Sequence, residues 1–177
     1  MTGALFPAVF LDRDGVINCA VVRNGKPYPP DSINELIIMP NAELILSRLR
    51  EAGYLLIGIT NQPDVARGKQ RKEIVEEINE YLLKKLPVTE IFVCYHDDKD
   101  KCYCRKPNPG LLLEAASKYS LNLSQSFMVG DRWKDIQAGQ RAGCKTIFLD
   151  HGYLEPKPDP SADYDIKSLE DLLSIIL

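Results

Sequence analysis

Two carboxylates stand one residue apart in the stretch Val9-Phe10-Leu11-Asp12-Arg13-Asp14-Gly15-Val16. The apolar run before them reads as a strand buried on both faces, the kind found in parallel sheets. Side chains alternate along a strand, so Asp12 and Asp14 are expected to face one way and Arg13 the other. Gly15 lets the chain turn away. Paired acids at the carboxyl end of such a strand suit a divalent cation and a phosphate, because open α/β sheets bind ligands there. A solvated acidic turn is the plain alternative, since Asp is common in turns. Three further polar positions also follow or flank predicted elements. Thr60 closes a second strand, where its hydroxyl and nearby amides can hold phosphate oxygens. Lys106 precedes a helix whose positive end, together with the ammonium, would favour an anion. Asp131 follows a later strand, with Asp135 one helical turn on. Singly these read as a cap, a surface lysine and a helix start. In this order and at these places, coincidence explains them poorly.

A second cluster is Cys94-x-His96 and Cys102-x-Cys104, with Asp97, Asp98 and Asp100 between. Three thiolates and an imidazole make a closed tetrahedral Zn²⁺ site. The acids alone would suit Mg²⁺ or Ca²⁺, but soft thiolates favour zinc. The plain alternative is a set of free cytosolic cysteines. A closed site leaves no position for catalytic water, so its role is expected to be structural. It would pin the loop that delivers Arg105 and Lys106. Cys19 and Cys144 lie outside the cluster and read as ordinary thiols.

The elements that must position these residues alternate. Helices are expected from Asn41 to Ala52, Arg71 to Leu86, Leu111 to Tyr119 and Trp133 to Ala142, each with apolar residues at helical spacing. Asn108 is expected to cap the third of them, with Pro109 its first residue. Strands are expected at Val9–Leu11, Tyr54–Ile59, Ile91–Val93, Ser126–Val129 and Cys144–Leu149. Five strands alternating with helices predict a parallel sheet with right-handed crossovers. The stretch from Asn18 to Met39, with prolines at 27, 29 and 30, is expected to hold little regular structure. So is the tail from Tyr153, apart from a short helix over Ser168 to Leu177. At 177 residues, 45% hydrophobic and 27% charged, the chain suits one α/β domain over 1–177, with a small zinc loop at 94–104 and no room for a large cap domain. A net charge of −3 argues against nucleic acid as partner. The start, Met1 to Pro7, carries no targeting pattern, and no stretch is long enough to span a membrane, so the cytoplasm is the expected compartment; a monomer is expected as well.

The motif set Asp12-x-Asp14-Gly15-Val16, Thr60, Lys106 and Gly130-Asp131-x-x-x-Asp135 resembles the haloacid dehalogenase (HAD) superfamily, from about Val9 to Leu149. The resemblance implies a phosphoryl-transfer enzyme with a Rossmann-like sheet. It implies Asp12 as nucleophile and Asp14 as general acid and base. It also implies Mg²⁺ on Asp12, the main-chain carbonyl of Asp14 and Asp131, with Thr60 and Lys106 on the phosphoryl group. A dehalogenase has no need of Asp14, which favours a phosphatase. The run Cys94 to Pro107 resembles the branch holding heptose bisphosphate phosphatases and histidinol-phosphate phosphatases. Thr60-Asn61-Gln62 and Ala66-Arg67-Gly68 resemble the heptose side of that branch. By that resemblance Asn61 and Gln62 are expected near a small phosphorylated metabolite. Arg105 and Arg132 fall near the expected mouth, where a guanidinium can bind phosphate bidentately, and favour a sugar bisphosphate; solvated surface arginines are the plain alternative. Lys26 to Pro30 and Pro63-Asp64 depart from the branch pattern, leaving histidinol phosphate or another small phosphate ester open. A zinc-stabilised interaction module is the alternative outside enzymology.

Overall fold

The computed structural model describes residues 5–177. Residues 1–4, part of the start read above as lacking a targeting pattern, lie outside the described residues. The strands are β1 (Ala8–Leu11), β2 (Val21–Arg23), β3 (Lys26–Tyr28), β4 (Leu55–Asn61), β5 (Glu90–Cys94), β6 (Phe127–Gly130), β7 (Lys145–Leu149) and β8 (Tyr164–Ile166). The helices are α1 (Ala42–Glu51), α2 (Lys72–Lys85), α3 (Gly110–Tyr119), α4 (Trp133–Ala142) and α5 (Asp171–Ile176).

Six strands form one sheet in the order β5-β4-β1-β6-β7-β8, every pair parallel. The alternation along β1 divides the core. Val9 and Leu11 pack with Ile45, Leu46 and Leu49 of α1, Ile78 and Leu82 of α2, and Leu172 and Ile176 of α5. Ala8 and Phe10 pack on the other face with Leu111, Leu112 and Ala115 of α3 and Ala138 of α4. This is the three-layer, Rossmann-like α/β sandwich, and each fully buried aliphatic side chain in it contributes about 1.5–3 kcal/mol. The chain goes from β1 to β4 and β5 on one side, then returns to β6 on the other. That reversal opens a crevice at the carboxyl ends of β1, β4 and β6.

The structure departs from the sequence expectation in four places. The sheet has six strands rather than five, because Tyr164–Ile166 of the tail adds an edge strand beside β7. With Tyr164 and Asp165 exposed and only Ile166 buried, it carries no apolar run to announce it. The stretch after Asn18 contains an antiparallel hairpin, β2 with β3. Its turn is Asn24-Gly25, both with positive φ, the pair a tight hairpin demands. Pro27 is tolerated because a two-stranded ribbon leaves an edge free. Asn108 does not cap α3; Pro109 holds that position, and the Asn108 amide donates to the Cys102 carbonyl at 2.9 Å. Arg13 does not simply point away from the acids. The strand ends at Leu11, and in the turn beyond it the Arg13 guanidinium grips Asp14.

Candidate active site

Asp12 leaves β1 still in sheet register, its amide donating to the Val129 carbonyl at 3.0 Å. The Lys106 ammonium lies 2.5 Å from Asp12 Oδ1, 2.7 Å from Asp135 Oδ1 and 2.8 Å from the Ile59 carbonyl. Asn61 fixes the lysine from behind. Its amide donates to the Lys106 carbonyl at 3.0 Å and its oxygen accepts from the Lys106 N–H at 3.1 Å. Gln62 Nε2 bridges Thr60 Oγ1 at 2.9 Å and Asp14 Oδ2 at 2.8 Å. Asp14 also accepts from Arg13 Nε and Nη2, at 3.1 and 3.0 Å, and from Asn18 at 3.0 Å. Asp12, Asp14, Thr60 and Lys106, taken from three separate segments, therefore meet at the end of the sheet.

Asp12, Asp131 and Asp135 each offer an oxygen within 4.8 Å of the others. Three carboxylates face one ammonium, leaving two negative charges if all ionise. Burial, and next Asp135, push Asp12 up to about 7. Burial also raises Asp131, with Asp12 and Asp135 adding to it. For Lys106 burial works the other way, but Asp12 and Asp135 outweigh it and hold the ammonium protonated. Both Asp131 oxygens are buried without a hydrogen-bond partner among the described residues. Tyr153 lies close enough to feel that carboxylate but closes no hydrogen bond of good geometry. Two orphaned oxygens and a double negative charge fit a hard divalent cation such as Mg²⁺. The turn beside them has no spare volume. Gly15 has φ +100°, and a Cβ there would overlap the Asp131 carboxylate. A Cβ on Gly130 would overlap Asp135.

The cysteine cluster closes as expected. Cys94 Sγ lies 3.2 Å from Cys104 Sγ, 3.6 Å from Cys102 Sγ and 3.6 Å from His96 Nδ1. Cys104 Sγ lies 3.4 Å from both Cys102 Sγ and His96 Nδ1. A tetrahedral zinc with ordinary bond lengths has ligand–ligand edges of about 3.5–3.8 Å. The four atoms are thus spaced to hold zinc after a slight expansion. Burial raises the Cys94 thiol, a cost that metal binding removes. The Arg105 N–H donates to Cys102 Sγ at 3.3 Å, so the cluster reaches directly to the residue before Lys106.

A model of the HAD-hydrolase-like family matches residues 103–172. The D-glycero-alpha-D-manno-heptose-1,7-bisphosphate 7-phosphatase of Photorhabdus laumondii is 38% identical over 152 residues, covering 79% of this chain and 80% of its own length. The chain belongs to the HAD hydrolases. The D-glycero-beta-D-manno-heptose-1,7-bisphosphate 7-phosphatase of Escherichia coli K12 is 32% identical, covering 94% of this chain and 91% of its own. The crystal structure of a D,D-heptose 1.7-bisphosphate phosphatase from B. bronchiseptica, complexed with magnesium and phosphate, superposes with a TM-score of 0.78 at 28% identity, over 96% and 97% of the two chains. This HAD hydrolase is a phosphoric monoester hydrolase, and HAD phosphatases use Mg²⁺.

Over the HAD centre lies a cavity of about 700 Å³. Arg105 and Arg132 both line it, but neither guanidinium is unpaired: Arg105 meets Asp98 and Arg132 meets Glu155. The hairpin β2–β3 contributes Arg23, Lys26 and Tyr28 to the same wall. Sequence reasoning missed Asn79, a buried polar residue on the apolar face of α2 whose oxygen accepts from Arg13 Nη1 at 2.9 Å. An Asn among Val75, Ile78 and Leu82 was the available signal. It also missed His151, whose Nε2 reaches the Gly15 carbonyl at 2.7 Å, and nothing local marks that contact.

Proposed function

We propose that this phosphatase hydrolyses a D-glycero-D-manno-heptose 1,7-bisphosphate at its 7-phosphate, through an aspartyl-phosphate on Asp12. The proposal includes a single-domain, cytoplasmic, monomeric enzyme. No helix among the described residues is long and apolar enough to cross a membrane. The observation that carries the chemistry is the orphaned Asp131 carboxylate beside Asp12, with Lys106 bridging Asp12 and Asp135. The names of the relatives support the sugar, and the Arg105 guanidinium in the cavity supports a second phosphate.

Asp12, the Asp14 main-chain carbonyl and Asp131 would hold Mg²⁺, which supplies positive charge against the phosphate oxygens. Lys106 and Thr60 orient the phosphoryl group in line with Asp12. The Asp12 carboxylate attacks phosphorus and the bond to the sugar oxygen breaks. Asp14 acts as the general acid, passing a proton to that oxygen. Water then attacks the phosphorus of the aspartyl-phosphate and passes a proton to Asp14. Inorganic phosphate leaves and the Asp12 carboxylate is restored. The zinc cluster takes no part in these steps and holds Arg105 and Lys106 in place.

A phosphate-release panel of sugar bisphosphates, histidinol phosphate and nucleotides tests the substrate. The heptose bisphosphate is expected to show the highest kcat/KM, lost on chelation of Mg²⁺. Histidinol phosphate as the best substrate would overturn the sugar. Arg105→Ala is expected to lower kcat/KM for the bisphosphate about tenfold or more, and p-nitrophenyl phosphate much less. Equal losses would assign Arg105 to the reacting phosphoryl group instead. Gly15→Ala should push Asp131 aside. The Mg²⁺ needed for half-maximal turnover is then expected to rise by about tenfold or more, as it does when a ligand's support is lost. A magnesium titration of turnover checks it, and an unchanged midpoint would remove Asp131 from the cation site.

A further inference from the structure

The two guanidinium groups of the cavity have partners of different kinds. Arg132 is forked by Glu155, Nε to Oε2 at 2.8 Å and Nη2 to Oε1 at 2.6 Å, and the Glu155 side chain is only 15% exposed. Arg105, itself 10% exposed, donates through Nε alone to Asp98 Oδ1 at 2.8 Å, and the Asp98 side chain is 64% exposed. The same carboxylate lies 3.4 Å from Lys134 Nζ, whereas Arg67, 3.9 Å away, is paired with Asp97 at 2.5 Å. Asp98, Arg105, Lys134 and Arg67 all line the one cavity.

A two-point pair is hard to break, whereas a one-point pair to an exposed carboxylate contributes little. Nor does the backbone need the Asp98 carboxylate. The short turn Asp98–Asp100 is closed by its neighbours: the Asp97 carboxylate accepts the Asp98 N–H at 2.8 Å, and Asp100 accepts the Asp97 N–H at 2.7 Å. The side chain can therefore swing into solvent without unmaking its turn. What it leaves behind is an electropositive niche formed by Arg105 and Lys134.

We infer that Asp98 is a stand-in anion, holding Arg105 and Lys134 until the second phosphate of the substrate displaces it. The inference rests on the bisphosphate reading and adds the residue that enforces it. A phosphate monoester dianion carries more charge and more acceptor oxygens than one carboxylate, so it can meet Arg105 and Lys134 together. A substrate whose far end is neutral or cationic has nothing to offer in exchange, and Asp98 stays. Selectivity then comes from competition as well as from attraction.

Asp98→Asn tests this, because the amide keeps the size and one acceptor oxygen but loses the charge that competes. The variant and the parent are assayed with heptose 1,7-bisphosphate and with the matching heptose 7-phosphate, which lacks the far phosphate. The KM for the bisphosphate is expected to fall roughly two- to fivefold, the range spanned by an exposed ion pair. The KM for the monophosphate is expected to move clearly less. A rise in KM for the bisphosphate would mean that Asp98 positions Arg105, and equal changes with both substrates, or none, would also overturn the displacement. If the parent enzyme does not prefer the bisphosphate to the monophosphate, the bisphosphate reading itself falls, whatever the variant does.

Discussion

An Asp12→Asn protein is expected to fold as the parent does and to release phosphate at least about a thousandfold more slowly. The amide has nearly the same shape and keeps an oxygen for Lys106, which lies 2.5 Å from Asp12 in the parent. It lacks the anionic oxygen that must attack phosphorus. Lys106 keeps Asp135 at 2.7 Å, so the buried ammonium is not left without a carboxylate. The metal-free protein should even gain stability. Burial, then Asp135, raise Asp12 to about 7 in the fold against 3.8 in its ordinary state. For an acid raised in this way, ionisation costs folding free energy at pH above the unfolded value, and the cost is complete once pH passes the folded one. Removing that charge should raise the melting temperature in chelator at pH 8 and leave it unchanged near pH 3. Turnover by the variant close to the parent's, or phosphate trapped on another residue, would falsify the assignment of the nucleophile.

Loss of zinc is the second large effect. Cys104→Ser is expected to lower the melting temperature by roughly 10 °C or more, since at this size each kcal/mol is about 2–4 °C. Structural zinc in small peptides supplies about 10–16 kcal/mol, and even part of that is large against the stability of a domain. Cys94 and Cys104 also belong to the apolar cluster beneath α3, so the damage enters the core. Activity should fall as a consequence, because Arg105 and Lys106 follow Cys104 directly. Metal analysis of the purified protein, with melting before and after a strong chelator, checks this. A protein without bound zinc, whose melting a chelator does not change, would leave three plain cysteines.

The parts of the site legible in the sequence were those whose chemistry sits at strand ends. Asp12, Thr60, Lys106 and Asp131 announce themselves because an apolar run or a helix signal flanks each one. The Asn24-Gly25 turn carries an equally local signal, but the prolines at 27, 29 and 30 beside it argue against strands. The partners of the arginines were not. Glu155 lies 23 residues beyond Arg132 in a segment without periodicity, and Asp98 reaches Arg105 only because a metal-sized cluster folds the loop back. Such pairings depend on tertiary path rather than on local pattern. β8 stayed hidden for a related reason, since three residues with one buried side chain give no period to detect.

The strand that leads to Asp12 is made long before its second edge is covered. The Ala8 amide bonds the Ser126 hydroxyl across 118 residues, and β1 is flanked on that side only when β6 arrives. During synthesis on the ribosome, β1 can pair with β4 early but must wait for most of the chain before its other edge is covered. Contacts so distant in sequence slow folding, and the interval leaves an apolar strand edge available for wrong pairing. Asp131 comes with β6, so a nascent chain cannot assemble the acids at their final spacing before then. A shortened product ending ahead of Phe127 would therefore be an aggregation hazard rather than a weak enzyme.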